Sequence, residues 1–309
     1  MAPNAHAADA AAPLKSFSDA SFKSLRAERL RSALNVTEEE GVDGLNERVA
    51  KLVAYADEVG AERAKVEPTA LAAVKAGAVV YKHRSRVLVV LYSVVCAYWV
   101  SQSPSPGYAL ACVALWVVLM DFYGAVLHVV LDTPEFIALP AIGDGALEFQ
   151  WHHAIPRDIV SKDFFEVCGD LNWVCFLHLA WHIYCFGADL RCAPANTMLG
   201  AKLMMAYLGQ WSHRMAHEQP SRRPGWVLLG QRVGLLLPPD VHHGHHMTYD
   251  DGFPILNGCT LHLIRALRWA VPNPWAWLAL FAALSLTDVY YTTHFLAKAM
   301  GIPLYAASA

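Results

Sequence analysis

Nine of the histidines in this 309-residue chain fall in four tight groups: His128 alone, then His152 with His153, His213 with His217, and His242, His243, His245 and His246 together. Neutral imidazole is the commonest metal ligand, so grouping of this kind points to a metal-binding chemistry. Residues three or four apart share one helix face. His213 and His217 can therefore address one ion, as can His242 with His245 and His246. His128 shares a face with Asp132 and with Asp121 two turns earlier. These charged groups lie in or beside a long apolar run, where they are costly unless they pair or bind something. Asp121, Asp132, Asp163, Glu166 and His243 are candidates for ligands or for supporting the ligands. The ligand count selects the metal. A structural zinc takes four ligands and a catalytic zinc takes three, so eight imidazoles exceed one zinc site. Imidazole also suits iron, and two irons with positions left for oxygen fit the number better. The isolated His83, His262 and His294 read as hydrogen-bonded or interface residues. His178 and His182, four apart in another apolar stretch, stay open between a structural and a metal role.

The elements that must position these groups belong to a lipid environment. The chain is 55% hydrophobic and 17% charged, with a mean hydropathy of +0.29, which is high for a water-soluble surface. A net charge of −3 from 24 basic and 27 acidic residues excludes nucleic acid as a partner. The seven cysteines include no CxxC pair and sit mostly in apolar stretches, so they read as reduced packing residues. Residues 1–80 are Ala-rich and charged, and a helix is expected after Thr37 through Leu45, Val49 and Leu52. This extension has no apolar core of a secretory signal, although residues 17–31 have the composition of a weak organellar presequence.

After Lys82, Arg84 and Arg86 the composition turns apolar, which marks residues 81–309 as one membrane domain. Spans are expected at 87–103, 108–131, 171–188 and 195–211, with a fifth candidate at 275–296 that either crosses or lies at the interface. The expected fold is thus an all-α polytopic membrane bundle with four spans or five. Basic residues before the first span place the N-terminus in the cytosol or the equivalent compartment. Counting spans then returns the 150–170 and 213–251 stretches to that same side, where Arg157, Lys162, Arg214, Arg222, Arg223 and Arg232 also lie.

At this point several blocks match a known pattern. The run from Asp121-Phe122 through Gly124 and His128 to Asp132-Thr133 resembles the D-F-x-x-G-x-x-H-x-x-x-D-[TN] segment of the lipid desaturase family. His152-His153, Pro156, Ile159, Asp163-Phe164, Glu166 and Gly169-Asp170 resemble its second block. Trp211-Ser212-His213 is similar to its W-[SA]-H. Pro238 with His242, His245 and His246, followed by Phe253 to Gly258, is similar to its terminal histidine box. The resemblance covers residues 110 to 260 in order. Two positions depart from it. Gly209 stands where the family has a histidine, with His217 as a substitute after His213, and His243 is additional.

The family holds plasmanylethanolamine desaturases, CarF-like proteins and the plastid desaturase of phosphatidylglycerol palmitate. The resemblance implies an O2-dependent, di-iron desaturation near the head-group end of a glycerolipid chain, giving a vinyl ether in one branch and a trans-3 double bond in the other. It implies His128, His152, His153, His213, His217, His242, His245 and His246 as iron ligands, with Asp132 as ligand or support. It also implies two electrons from a donor such as cytochrome b5 or ferredoxin, and residence in endoplasmic reticulum or plastid membranes. Two other readings stand beside it: a lipid hydroxylase or related di-iron oxidase, and a non-enzymatic metal-binding membrane protein or transporter.

Overall fold

The computed structural model describes residues 85–133, 162–187, 190–248 and 251–305, together with residues 136, 139, 142, 145, 146, 149, 152, 159 and 160. The expected polar helix after Thr37 and the ligand candidate His153 lie outside these residues. The described residues are helical, and by internal contacts they form two units. One contains His128–Lys162 with His243–Gly252, and the other contains His83–Leu127, Asp163–His242 and Phe253–Ala309.

Each apolar segment read from the sequence is a helix. Helix α1 runs Arg86–Ser101 and starts at Ser85, whose hydroxyl accepts the Leu88 amide. Helix α2 is Pro106–Leu131. Its first turn combines Pro106, which needs no amide partner there, with the Ser105 hydroxyl accepting from Tyr108 N–H at 3.1 Å. A short helix α3, Phe164–Gly169, precedes α4, Asn172–Phe186, which ends at Gly187 with φ of 92°. Helix α5 is Ala193–His217, extending one and a half turns past the expected span and so carrying its two histidines on regular helix. After a 3-10 turn at Pro220–Arg222 come α6, Gly225–Arg232, and α7, Pro239–Thr248. Helix α8 is Leu261–Ala270, and α9, Pro274–Ala299, is capped by the Asn273 side chain. Among the described residues, α2 is the helix long and apolar enough to cross a membrane, with α1 as a shorter apolar helix.

The core of the larger unit is built on α5. Gly200 lets α1 approach closely, because a Cβ there would stand 2.9 Å from the Cys96 carbonyl oxygen. Thr197 donates to the Trp99 carbonyl across the same contact. Trp116 and Tyr108 of α2 are fully buried, the Trp116 indole donating to Met198 sulfur and the Tyr108 hydroxyl to the Pro194 carbonyl. Lys202, buried in α5, meets Asp288 of α9 at 2.5 Å with side-chain exposures of 2% and 8%. Its ammonium also lies over the Trp116 and Tyr123 rings, 5.2 and 4.7 Å from their centroids.

Candidate metal centre

In the smaller unit, the last turn of α2 presents His128, and Asp132 follows one turn later, the spacing that puts two side chains on one face. Helix α7 brings His245 to the same carboxylate. Asp132 Oδ2 is 3.2 Å from His245 Nε2 and 3.6 Å from His128 Nε2, and the three side chains are at most 1% exposed. The two rings stand edge to face at 4.4 Å, and Phe149 closes the other side of His128 at 5.1 Å. His245 Nδ1 is 2.7 Å from the Asp251 carbonyl oxygen. A carbonyl only accepts, so Nδ1 carries a proton and Nε2 is the nitrogen that faces the carboxylate. A ligating histidine fixed through its other nitrogen, with a carboxylate beside the free one, is the usual arrangement for a bound metal. His152 and His246 belong to the same unit, edge to face at 4.9 Å and both buried.

The larger unit holds a second group. His213 and His217 lie one turn apart at the end of α5, and His242 stands in the first turn of α7. His242 Nε2 is 2.9 Å from His213 Nε2 and 2.7 Å from His217 Nε2. A ring nitrogen holds one proton at most, so His242 cannot donate to both neighbours. Metal–nitrogen bonds of about 2.0–2.1 Å place ligands at right angles about 2.9 Å apart. His242 Nε2 therefore stands from each of the other two nitrogens at the spacing of adjacent corners of an octahedron about one ion, a narrower angle than tetrahedral zinc prefers. Both groups fit a divalent transition metal by donor type, burial and spacing.

The surrounding side chains set these positions. Ser212, next to His213, is completely buried; its hydroxyl accepts the Leu237 amide at 2.8 Å and donates to the Leu256 carbonyl at 2.7 Å. Gln231 donates to the Leu237 carbonyl and accepts from Arg223. The segment leading to His242 is thereby tied to α5.

Asp121, a candidate at the metal, has another occupation. Its Oδ1 accepts the amides of Leu256, Asn257 and Gly258 at 3.2, 2.9 and 3.0 Å, and its Oδ2 accepts the Thr260 amide and hydroxyl at 2.9 and 2.7 Å. Five donors compensate a fully buried carboxylate. The same negative charge, after burial, helps push the neighbouring Cys259 thiol up to about 11. The loop it holds fits closely: a Cβ at Gly124 would stand 2.7 Å from Ile255 Cγ1, and one at Gly209 would meet the same side chain at 3.7 Å. Asp163 and Glu166 form the capping box of α3, and Asp163 also pairs with Arg86 at 2.7 Å. His243 is exposed. His178 Nδ1 contacts the Val174 carbonyl at 2.8 Å, and His182 Nε2 contacts Asn196 Oδ1 at 2.8 Å between the Trp99 and Phe186 rings. The sequence places Ser212 in the Trp211-Ser212-His213 block but assigns it no role of its own, which only its bonds to Leu237 and Leu256 reveal.

The lipid desaturase domain pattern matches residues 117–269. The chain is similar to the plasmanylethanolamine desaturase of Myxococcus xanthus, 29% identical over 143 residues, which cover 44% of this chain and 48% of that protein. It is 28% identical over 142 residues to a probable fatty acid desaturase of Acanthamoeba polyphaga mimivirus, covering 44% and 64%. A third relative, the chloroplastic fatty acid desaturase 4-like 1 of Arabidopsis thaliana, is 25% identical over 181 residues, covering 54% and 60%. The chain therefore spans about half to two thirds of the length of these relatives. No solved structure matches it. The ordered histidine blocks His128, His152-His153, His213 and His242 to His246 all lie inside the stretch, residues 117–269, that matches the lipid desaturase domain.

Proposed function

We propose that this chain is a multi-pass membrane desaturase that introduces a double bond near the head-group end of a glycerolipid acyl or alkyl chain, using two irons, O2 and two electrons. The observation that carries the reading is the pair of imidazole groups, buried His128 and His245 with Asp132, and buried His213 and His242 with half-buried His217, inside the stretch that matches the lipid desaturase domain. His152, His153 and His246 complete the proposed ligand set of the di-iron centre. The balance is one CH2–CH2 unit, O2, two protons and two electrons giving one CH=CH unit and two waters. The bound irons would supply the oxidising power that removes two hydrogens from adjacent carbons.

The protein's own contribution is position. The Asp251 carbonyl holds the His245 tautomer, Ser212 sets His213 against the segment before His242, and burial excludes water that would otherwise quench the chemistry. Lipid as the surrounding medium is supported by the outward faces of α1 and α4, where Val87, Val94, Tyr98, Phe176, Leu177 and Tyr184 are exposed. Parity from the N-terminal basic cluster supports a site facing the cytosol or the equivalent compartment, reached by a cytochrome b5-like or ferredoxin-like donor.

Expression of the chain in a desaturase-null host, followed by lipid mass spectrometry, tests the reading. A product lighter by two hydrogens, as a vinyl ether or a trans-3 acyl chain, is expected. A product heavier by one oxygen would replace desaturation by hydroxylation, and an unchanged lipidome with metal-dependent transport would replace enzyme by carrier.

A further inference from the structure

Between His217 and His242, two members of one histidine group, the chain passes through the 3-10 turn and helix α6. A helix facing water turns its large apolar side chains inward. Here the inner positions go to Val227, Gly230 and the amide of Gln231. Gln231 is only 8% exposed and bonded to Arg223 and the Leu237 carbonyl. Arg223 in turn donates to the Glu218 carbonyl, so the polar groups clamp the segment from inside. Outside stand Trp226, Leu228, Leu229, Val233 and Leu235, exposed by 57, 41, 60, 58 and 60%.

A contiguous apolar face of this size marks contact with lipid or with another protein. Its composition favours lipid. Residues 219–239 contain three arginines and no acidic residue. Exposed Arg222 and Arg232 flank the apolar side chains, and an aromatic residue stands at the start of the helix. That combination suits a helix lying in an anionic membrane surface, with the indole at the head-group boundary and guanidinium groups at phosphates. An eight-residue helix is about 12 Å long, too short to cross.

We propose that α6 and the turn after it form an in-plane membrane anchor. Trp226, Leu229, Val233 and Leu235 enter the acyl-chain boundary, and Arg222 and Arg232 engage anionic head-group phosphates. Because both ends of the segment are histidines of one group, the anchor fixes their depth at the level where the first carbons of a lipid chain lie. That last consequence alone rests on the desaturase reading.

Photo-crosslinking of the full chain tests it without reference to activity. The variants Leu229→p-benzoylphenylalanine and Leu235→p-benzoylphenylalanine are reconstituted in nanodiscs of equal phosphatidylglycerol and phosphatidylcholine, with Val94→p-benzoylphenylalanine of α1 as the comparison. Phospholipid adducts at 229 and 235, at yields comparable with position 94, are expected. Adducts at 94 but not at 229 or 235 overturn the anchor while leaving the membrane reading intact; absence at 94 overturns the membrane reading itself. In native membranes, protein adducts in place of lipid at 229 and 235 would make the face a docking site for another chain and overturn the proposal. Arg222→Gln with Arg232→Gln should lower the ratio of phosphatidylglycerol to phosphatidylcholine adducts about fivefold for each arginine. An unchanged ratio overturns the phosphate assignment.

Discussion

At the scale of single residues, what distinguishes the histidines is where their ring nitrogens point. His245 donates through Nδ1 to a backbone carbonyl and so presents Nε2 to Asp132, while His242 Nε2 stands within 2.9 Å of two other ring nitrogens. Both arrangements have the donor set and spacing that suit a cation. His245→Ala should therefore lower bound iron in the detergent-purified protein by about half and abolish product, and His213→Ala should do the same through the other group. His243→Ala and His178→Ala should keep both metal and product, since His243 is exposed and His178 is bonded to its own helix. Elemental analysis of each variant checks this, and full iron retention in His245→Ala and His213→Ala would remove these residues from the ligand set. The histidines were legible in the sequence because the residue type is uncommon and the spacing is local. The carboxylates were not separable in the same way. Asp121, Asp132, Asp163 and Glu166 all lay near histidine blocks, yet of the four, among the described residues, Asp132 has its oxygen among imidazoles, Asp121 accepts from a loop, and Asp163 caps a helix with Glu166. Deciding among them requires knowing which distant amides each one meets.

Elements in this chain are held in register by buried polar side chains that bond residues far away in sequence. Asp121 of α2 organises residues 256–260, which explains why the Asp121-Phe122 block and the Phe253–Gly258 block occur together. Ser212 of α5 reaches both Leu237 and Leu256. Removing one acceptor leaves several amides buried and unsatisfied, at about 1–3 kcal/mol each. Asp121→Ala should therefore be among the most destabilising substitutions in the molecule, costing about 4 kcal/mol or more. Ser212→Ala should cost about 1–3 kcal/mol. Protease resistance of the two variants in detergent orders them, and equal resistance of Asp121→Ala and the parent would show that the loop does not depend on the carboxylate. Helix positions themselves were readable: the segments expected at 87–103, 108–131, 171–188 and 275–296 are helices within three residues at either end. Length, apolar composition and the flanking Pro, Ser and Gly fix such boundaries locally. The short α6 and α8 were not read, because eight to ten residues with mixed polarity carry too little periodicity to separate from a loop.

For the larger unit, the chief question is what ties the C-terminal helix α9 to the helix that carries His213 and His217. The Lys202–Asp288 pair joins them, both charges removed from solvent and the ammonium flanked by two aromatic faces. Desolvating such a pair is expensive, and its attraction offsets that cost only while both partners are present. Lys202→Met alone strands the carboxylate and should cost about 3–5 kcal/mol, as should Asp288→Leu alone through the ammonium. Lys202→Met combined with Asp288→Leu removes both charges and should recover most of that loss, because apolar side chains of similar size suit the position. Unfolding of the three variants in mixed micelles measures the coupling. Additive losses in the double variant would mean that the two residues act independently and that α9 is held to α5 by its apolar contacts alone. Recovery of stability without recovery of product would instead assign the pair a role beyond packing, since Lys202 lies on the same face of α5 as His213, three turns away. Stability and product formation in the same double variant therefore separate an anchor from a participant in the site.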